Sequence, residues 1–336
     1  MIYVIPQRKP EGITDGMRPV DLKTDLAPLA DLIELVFASN MDSGGRAALR
    51  EMRYLSRIGP GLHLLSHLNE MAAGISLGYV WLVDGRIVGN VSVYPAHWPQ
   101  DMGSAWIIAN VGVHPQHQRR GIARRLMEAS MEMIRQRGGK TAILQVDATN
   151  EGAHQLYRSL GFVDERTWIT WRRPGSTRLP DAINDAQVFI RRRRRAEWRD
   201  EMALAGRIRP QEQGGLGWLR PLHRSFFQRP WWRQMLDWIS LRGLERQVIA
   251  APDDGRLLAS MWLESTVASR TQVTLLVDPL YQGIYDGLLL NTAVRRYGHN
   301  PIVVEHPADE TLVNETLANY RFIQQRAVIH MRWDID

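Results

Sequence analysis

A strand–turn–helix pattern occurs twice in the 336-residue chain, and this repeat limits its fold more than any other feature. The segment VHPQHQRRGIARRL (Val113–Leu126) matches VDPLYQGIYDGLLL (Val277–Leu290), with Val, Pro, Gln and Leu at the same positions. Upstream, DGRIVGNVSV (Asp84–Val93) matches DGRLLASMWL (Asp254–Leu263). A pattern that recurs in the same order indicates duplication of one domain. We therefore predict two tandem domains, 1–172 and 187–336, joined by a linker at 173–186.

Hydrophobic periodicity assigns both helices and strands to the first half. Leu26–Phe37 has apolar residues at helical spacing, and Asp84-Gly85 joins two β-rich runs as a hairpin turn. The apolar run Trp106–Val113 predicts a buried strand, and Thr141–Val146 a parallel one, because a helix near residues 121–137 connects them. Further predicted elements are a strand at 18–24, a helix that begins at Asn150 as its N-cap and ends at Gly161, and a strand at Thr167–Trp171. The fold class is mixed α/β, with a central mixed β-sheet flanked by helices in each domain.

The composition excludes several kinds of site. The chain has no cysteine, which excludes disulfides, Cys-ligated zinc and a Cys nucleophile. The sequence MIYVIPQRKPEG is unlike a signal peptide, and no apolar run reaches the ~18 residues of a membrane-spanning helix. We therefore expect a cytoplasmic protein that has no membrane partner.

Nearly all basic residues are arginine, since only Lys9, Lys23 and Lys140 are lysine, and the net charge is +6. Arginine suits phosphate and carboxylate ligands, although genomic base composition explains the bias equally well. The run Arg191–Arg195 follows a strand-like stretch, which favours a charged edge strand over a nucleic-acid site. No aromatic stacking motif of an RNA-binding fold accompanies it, so nucleic acid is not the expected partner.

Residues Gln118–Arg124 combine the features of an anion site. A helix N-terminus offers unpaired N–H groups and a partial positive charge, which suit a pyrophosphate. Gly121 lets the backbone approach a ligand, Ala123 keeps the first turn narrow, and Arg119 and Arg120 add charge. The alternative is a turn that only starts a helix, with glycine for geometry and arginine for solubility. The segment is neither a Gly-Lys-Thr phosphate loop nor a three-glycine dinucleotide fingerprint.

Two motifs resemble the GNAT superfamily of N-acetyltransferases. In that family a V-x-V-x-P strand end precedes Q/R-x-x-G-x-G/A, and VGVHPQHQRRGIA (Val111–Ala123) matches at every defined position. The second motif is N-x-x-A-x-x-x-Y-x-x-x-G-F, which NEGAHQLYRSLGF (Asn150–Phe162) matches. Both motifs have the family's order and spacing. The resemblance covers 15–172 well and 187–336 weakly, and it implies an acetyl-CoA-dependent acyltransferase that needs no metal.

The resemblance implies a role for each matching residue. Val111 and Val113 would bind the pantetheine arm through their backbone, and the amides of Arg119–Arg124 would hold the pyrophosphate. Asn150 would bond the cofactor arm, and Tyr157 would protonate the departing thiolate. The implied cofactor-binding residues are Val111, Gly112, Val113, Gln118, Arg119, Arg120, Gly121, Ile122, Ala123, Arg124, Asn150 and Tyr157.

Direct acetyl transfer needs an oxyanion donor, an acid and a base. Attack of an amine on a thioester develops an oxyanion, for which the amide around Val111 is the candidate donor. A tyrosine hydroxyl stays protonated at neutral pH, so Tyr157 suits the acid; the alternative is a core aromatic. Many relatives carry a Glu base where Ile107 stands, so the amine proton would pass to water, with Asn110 as an orienting catalytic residue, or to another residue. Unranked candidates for that residue are His63, His67, His97 and Asp147.

The second repeat departs from the motifs at the positions that would bind a ligand. Tyr285 stands where the first repeat has Gly121, and its side chain would crowd a phosphate. Gly283 and Ile284 replace the two arginines. Aligning Phe322 with Phe162 puts Leu317 at the position of Tyr157 and Glu310 at the position of Asn150. We predict that this domain has lost cofactor binding.

Two other functions stay open at this point. Because no base is identified, the chain could be a non-catalytic acyl-CoA-binding sensor or scaffold. It could also acylate a protein or a nucleic acid. We favour an N-acetyltransferase whose N-terminal domain acts on a small-molecule or peptide amine. The C-terminal domain would then cover the acceptor cleft or form a homodimer contact.

Overall fold

The computed structural model describes residues 15–38, 41, 43–58, 78–183, 188–228, 243–265 and 270–335. The helices among them are α1 (Leu26–Phe37), α2 (Ser43–Ile58), α3 (Ile122–Gln136), α4 (Glu151–Ser159), α5 (Trp198–Ile208), α6 (Arg224–Phe227), α7 (Tyr285–Tyr297) and α8 (Thr311–Asn319). The strands are β1 (Gly16–Pro19), β2 (Gly78–Val83), β3 (Arg86–Pro95), β4 (Ala105–Val113), β5 (Thr141–Asp147), β6 (Val163–Arg173), β7 (Arg191–Arg192), β8 (Gly243–Ala250), β9 (Leu257–Ser265), β10 (Thr271–Val277), β11 (Ile302–Pro307) and β12 (Ile323–Asp334).

These elements form two compact units that are interleaved along the sequence. The described residues of the first unit lie within 1–144, 155–162 and 332–336, and those of the second within 145–154 and 163–331. Neither unit is one continuous stretch, because residues 155–162 and 332–336 belong to the first unit. The predicted bounds 1–172, 173–186 and 187–336 describe the sequence repeat and stay a prediction.

The first unit contains the strand order β1-β2-β3-β4-β5. β2 and β3 form the predicted hairpin, in which Asp84 and Gly85 have positive φ angles of 51° and 72°. β4 is antiparallel to β3 and parallel to β5, because the crossover through α3 returns the chain to the same end of the sheet. The mixed α/β fold class is therefore confirmed.

Helix α3 packs closely against β3 at Gly89. A β-carbon on Gly89 would lie 2.9 Å from Ile122 Cγ2 and 3.1 Å from Leu126 Cδ1, so the glycine lets the helix approach the strand. Ile122 and Leu126 are both buried, as the helical spacing predicts. Because Ile122 is the first residue of α3, this packing fixes the N-terminus of the helix against the sheet.

The last residues of the chain complete the first unit. The ring centroids of Trp333 and Phe162 are 6.1 Å apart, and the Arg135 guanidinium lies over the Trp333 ring at 5.3 Å. The Ile335 N–H donates to the Lys140 carbonyl at 2.9 Å. The sequence pattern predicted only a strand of the second repeat here, so this contribution to the first unit was not foreseen.

The second unit contains the strand order β12-β6-β11-β10-β9-β8-β7. β10 and β11 are parallel, whereas β9 is antiparallel to both β10 and β8. The predicted strands PIVVEH and AVIHMRW occur as β11 and as part of β12. Its main core is aliphatic and includes Met261, Leu263, Val273, Leu275, Leu289, Val294, Val304, Leu317 and Phe322.

The backbone bears out the duplication around the strand–helix turn. In the first unit the His117 N–H donates to the His114 carbonyl at 2.8 Å. In the second unit the Tyr281 N–H donates to the Asp278 carbonyl at the same distance. Both turns begin with proline in a single 3₁₀ turn, so the two segments align without a gap.

Strand β1 is shorter than predicted and ends at Pro19 instead of residue 24. The Asp21 N–H donates to Asp25 Oδ2 at 2.7 Å, and the Asp25 N–H donates back to the Asp21 carbonyl. Asp25 is buried and also pairs with Arg18 at 2.6 Å. This carboxylate-centred turn ends the strand and leads into α1.

The arginine run begins with the short edge strand β7. Arg191 pairs with Glu197 at 2.7 Å, and Arg193 pairs with the buried Glu201 at 3.1 Å. These ion pairs and the edge position agree with a charged edge strand. No helix in the described ranges is long and apolar enough to cross a membrane, and no side-chain group there is arranged to hold a metal ion.

Candidate functional site

Strand β4 contains a bulge opposite β3. Asn90 of β3 pairs with Gly112, whereas Ser92 pairs with Ala109, so β4 holds one extra residue between these pairs. Asn110 accommodates this residue with a φ of 52°, in the left-handed region. A bulge redirects the local backbone, and non-glycine residues in this conformation cluster at functional sites.

The pairing of β4 with β5 ends before the bulge. The register runs from Ala105↔Thr141 to Ile107↔Ile143, although β4 continues to Val113. Beyond Ile107, β4 has no β5 partner in the described register. An extended ligand arm can therefore add to β4 as a strand would. The predicted pantetheine-binding residues lie in this part of β4.

A tight turn joins β4 to α3. The His114 side chain accepts from the Gln116 N–H through Nδ1 and so caps the 3₁₀ turn Pro115–His117. Gln118 then donates from Nε2 to the Val113 carbonyl at 3.1 Å. Gln118 thus holds the turn against the strand end, and one lone pair of the Val113 carbonyl is already used.

Two left-handed residues shape the backbone immediately before α3. Arg119 has a φ of 60° and Gly121 a φ of 78°. Backbone of this kind turns successive N–H groups into a concavity that binds anions, and the helix dipole adds positive potential. Arg119 and Arg120 are exposed, and the first turn of α3 has no acidic residue. The segment can therefore hold a phosphate or pyrophosphate.

The side chains at the start of α3 serve packing. Ile122 is buried, Ala123 is half-buried, and Arg124 donates to Ser159 Oγ at 2.6 Å. A β-carbon on Gly121 would meet no atom within 4 Å. Glycine is therefore required here by its φ angle, while the space beside it stays open.

Tyr157 lies on α4 in the first unit and is 6% exposed. Its ring centroid is 6.2 Å from that of Phe162, as expected for a packed aromatic. Burial raises the pKa of the Tyr157 hydroxyl, so it remains protonated at neutral pH. The hydroxyl has no hydrogen bond to any described residue. A purely structural buried tyrosine normally satisfies this group, so it is available to a ligand.

Asn150 lies in the second unit and caps α4. Its Oδ1 accepts from the Ala153 N–H at 3.1 Å, which confirms the predicted N-cap. The side chain is exposed, so its amide donors remain accessible. Its predicted bond to the cofactor arm stays a prediction.

The structure singles out no general base. Ile107 is buried in the apolar part of β4, at the position where relatives would carry a Glu. His97 is exposed in the loop after β3, and Asp147 accepts from the Thr149 hydroxyl at 2.7 Å. The other two candidates, His63 and His67, lie outside the described residues.

In the second unit, a carboxylate occupies the equivalent of the anion site. Gly283 has a φ of 87°, as Arg119 has a positive φ at the matching position. Its N–H donates to Asp286 Oδ1 at 2.6 Å, and Asp286 is fully buried. The pKa of Asp286 is raised overall, because the effect of burial exceeds the lowering effect of the hydrogen bonds from Thr316 and Gly283. A side chain of the protein thus holds the amide that a phosphate would need.

Tyr285 lies against the 3₁₀ turn Pro279–Tyr281, and its predicted crowding of a phosphate stays a prediction. Its ring stacks on Tyr281 with centroids 4.7 Å apart and planes at 2°. Tyr285 is instead the first residue of α7, so the left-handed residue that Gly121 supplies has no counterpart. The loss of cofactor binding in this domain stays a prediction, and the missing left-handed residue and the carboxylate of Asp286 add a physical reason for it.

A buried charged cluster, Arg209–His306–Glu310, lies beside β10 in the second unit. Arg209 donates to the Leu275 carbonyl at 2.7 Å and lies 3.5 Å from Glu310 Oε1. His306 Nε2 is 3.0 Å from Glu310 Oε2. Burial raises the pKa of Glu310, but the charge of Arg209 and the contact with His306 lower it more, to about 2. By the gapless alignment, Leu275 corresponds to Val111.

Sequence reasoning did not find Asp286 or Arg209. Asp286 had a signal, because an acidic residue in the first turn of a helix is favoured beside the free N–H groups there. Arg209 had none, since it follows α5, far in sequence from the strand whose carbonyl it contacts.

Comparison with protein families identifies part of the chain. Residues 49–162 match the profile of the Acetyltransferase (GNAT) family. The [Ribosomal protein bS18]-alanine N-acetyltransferase of Escherichia coli (strain K12) is 43% identical over 53 residues, which cover 16% of this chain and 36% of that protein. The mycothiol acetyltransferase of Thermomonospora curvata is 33% identical over 95 residues, 27% of this chain and 29% of that protein. The chain thus spans about a third of these relatives.

Solved structures share the fold across nearly the whole chain. A GCN5-related N-acetyltransferase from Sphaerobacter thermophilus has a TM-score of 0.58 at 14% identity, covering 95% of both chains. A tandem GNAT protein from the clavulanic acid biosynthesis pathway has a TM-score of 0.50 at 14% identity, covering 95% of this chain and 98% of that one. The chain therefore shares the fold of these GNAT structures, one of them a tandem protein, and residues 49–162 are similar in sequence to the GNAT acetyltransferase family.

Proposed function

We propose that the first unit transfers an acetyl group from acetyl-CoA to an amine by direct attack, without a covalent enzyme intermediate. The observation that carries this proposal is the backbone turn with left-handed Arg119 and Gly121 before α3. The turn presents amides, a helix N-terminus and two exposed arginines, and its first helical turn has no competing carboxylate. These groups fit the pyrophosphate of coenzyme A.

The pantetheine arm would run along the part of β4 after Ile107, which does not pair with β5. Val111 and Val113 would bond it through their backbone, as an added strand bonds its neighbour. Gly112 keeps this segment close to α1, since a β-carbon there would lie 3.3 Å from Val36 and Phe37. The arm would thus bring the thioester to the bulge at Asn110.

Acetyl-CoA supplies a thioester whose carbonyl oxygen and departing sulfur gain negative charge as an amine attacks. The Val111 N–H would stabilise the oxygen, and the Tyr157 hydroxyl would protonate the sulfur. The unpaired and protonated state of Tyr157 supports this role. Holding both substrates together would supply much of the rate.

The amine would lose its proton without a carboxylate on β4, because Ile107 takes that position. Water near Asn110 is the simplest acceptor. Asn110 is exposed, and its side-chain amide donates to Ser92 Oγ at 3.2 Å, which leaves its oxygen to orient a water or the amine. An amine that is already neutral needs less help from a base.

The second unit would not bind acetyl-CoA. Asp286 holds the amide equivalent to the phosphate-binding ones, and Arg209 holds the carbonyl equivalent to that of Val111. A ligand would have to displace two buried charged groups, which costs far more than binding to open backbone.

The acceptor would be a small-molecule or peptide amine. One relative is named for an alanine of a ribosomal protein and another for mycothiol, so both kinds of acceptor belong in the test. The experiment is release of free coenzyme A thiol from acetyl-CoA across a panel of small amines and peptides with N-terminal alanine. Acetyl transfer to at least one class supports the proposal. Tight acetyl-CoA binding without transfer to any amine would favour the non-catalytic sensor.

A further inference from the structure

A buried asparagine of β3 holds the bulge of β4. Asn90 is 1% exposed, and its Nδ2 donates to the Asn110 carbonyl at 3.0 Å. Asn110 is the left-handed residue of the bulge. Asn90 thus bonds to the backbone at the point where β4 departs from regular pairing, so it can set the direction of the next peptide group.

This bond orients the peptide between Asn110 and Val111. In a trans peptide the C=O and the following N–H point in opposite directions. Because the Asn110 carbonyl points at Asn90 on β3, the Val111 N–H points away from β3. On its other side β4 has lost its β5 partner beyond Ile107. The Val111 N–H is therefore directed to where an acyl carbonyl would bind.

The second repeat shows what the strand does without such a residue. Position 90 corresponds to Ser260, whose hydroxyl donates to Glu201 at 2.6 Å and not to β10. The register of β9 and β10 runs without a shift from Thr271↔Ser265 to Val277↔Ala259. Thr274, which corresponds to Asn110, has no positive φ. The asparagine and the bulge are present together in one unit and absent together in the other.

Asn90 also lowers the stability of the fold at its position. Its Oδ1 is fully enclosed and has no hydrogen-bond partner among the described residues. A buried acceptor without a partner lowers stability, and an apolar side chain would avoid this loss. The benefit that accompanies this loss is the hydrogen bond from the Asn90 amide to the Asn110 carbonyl.

We propose that Asn90 is a positioning residue that turns the Val111 N–H toward the thioester carbonyl of bound acetyl-CoA. This inference rests on the proposed function of the first unit. Asn90 touches no substrate; it acts through the Asn110–Val111 peptide. Its loss should weaken polarisation of the carbonyl and slow acetyl transfer, while the phosphate-binding turn still holds the cofactor.

The test measures the infrared carbonyl stretch of ¹³C-acetyl-CoA bound to the full chain. A hydrogen bond to the carbonyl lowers this frequency. We expect a lowered frequency in the wild type and a return toward the solution value in Asn90→Leu, which has similar size but no donor. Turnover on an accepted amine should decrease about 10-fold or more, since removing an oxyanion donor typically costs about 10²–10³. The dissociation constant for acetyl-CoA should stay the same.

Two further variants make the result specific. Ser130→Ala removes another fully buried hydrogen bond, from Ser130 Oγ to the Leu126 carbonyl, and should leave the carbonyl frequency unchanged. Asn90→Asp has nearly the native shape, and its carboxyl can donate to Asn110 only when protonated. Its carbonyl frequency should be near that of the wild type at low pH and should rise as the carboxyl ionises. This variant tests the proposal even if Asn90→Leu does not fold.

A carbonyl frequency that is unchanged in Asn90→Leu, or independent of pH in Asn90→Asp, would overturn the role of Asn90. The proposed function fails by a different result, namely no binding of acetyl-CoA to the wild type. The two failures are distinguishable because the frequency is measured only on bound acetyl-CoA.

Discussion

The Arg209 guanidinium donates a hydrogen bond of 2.7 Å to the carbonyl of Leu275, deep in the second unit. Leu275 occupies the repeat position of Val111, so a side chain of the protein takes the backbone group that a cofactor arm would use. Asp286 does the same for the amide of Gly283. In the second unit, charged side chains thus bond to the backbone groups whose counterparts in the first unit we propose for the cofactor.

Replacement of Arg209 should destabilise the second unit strongly. Arg209→Ala leaves Glu310 paired with Arg166 at 3.0 Å, but it removes a fully buried cation 3.5 Å from Glu310 and the hydrogen bond to the Leu275 carbonyl. Loss of a partner from a buried charge cluster typically costs up to about 3–5 kcal/mol. Arg207→Ala is the matched control, because Arg207 is exposed and its pair with Asp278 at 3.5 Å should contribute less than about 1 kcal/mol, since Arg256 remains 3.8 Å from the same carboxylate. Urea unfolding of both variants measures the difference. Equal small losses would show that the buried cluster contributes little.

Gly121→Ala should weaken acetyl-CoA binding more than it affects folding. The φ of 78° costs any residue with a β-carbon about 1–3 kcal/mol, so the turn would relax away from the anion-binding shape. Gly85→Ala is the matched control, since Gly85 has a φ of 72° and equally open space but lies in the β2–β3 hairpin. Both variants should lose similar stability in thermal unfolding. Equal acetyl-CoA affinity in the two variants would argue against the turn as the phosphate site.

Much of this site could be predicted from short-range patterns, because turn chemistry and helix starts depend on neighbouring residues. The hairpin at Asp84-Gly85 and the N-cap at Asn150 are examples. The contribution of Trp333 to the first unit depends on residues far apart in sequence, which no local periodicity encodes. Asn90 is intermediate. A polar residue inside an apolar strand pattern is visible in the sequence, but its target on the next strand is not.

Tyr157→Phe should lower kcat and leave the acetyl-CoA dissociation constant unchanged. Only the hydroxyl is lost while the ring still packs on Phe162, and loss of a positioned acid typically costs about 10²–10⁴ in rate. Tyr94→Phe removes another hydroxyl whose pKa is raised by burial in the same unit, and it should keep full activity. Steady-state kinetics on the accepted amine, where chemistry limits turnover, separate the two variants. A wild-type kcat for Tyr157→Phe would remove this residue from the mechanism.

His330 should make the protein less stable in acid. Burial, with a smaller effect from Arg326, lowers its pKa from 6.5 to about 3. Between these values the unfolded chain binds a proton that the folded chain does not. The free energy of unfolding therefore decreases by up to about 1.4 kcal/mol for each unit by which the pH is lowered. His330→Phe should keep the stacking on Trp168 and flatten this dependence. His97→Asn changes an exposed histidine and should leave the slope as it is. Unfolding midpoints at about pH 5 and pH 7 give the comparison, and identical slopes for wild type and His330→Phe would refute this source of acid sensitivity.

Calorimetric titration of the full chain with acetyl-CoA tests whether the first unit alone binds the cofactor. We expect one binding site per chain, in the first unit, and no heat of binding in Gly121→Tyr, because no tyrosine suits a φ of 78° at the proposed phosphate-binding turn. Two equivalent sites in the wild type, or one site that survives in Gly121→Tyr, would contradict it.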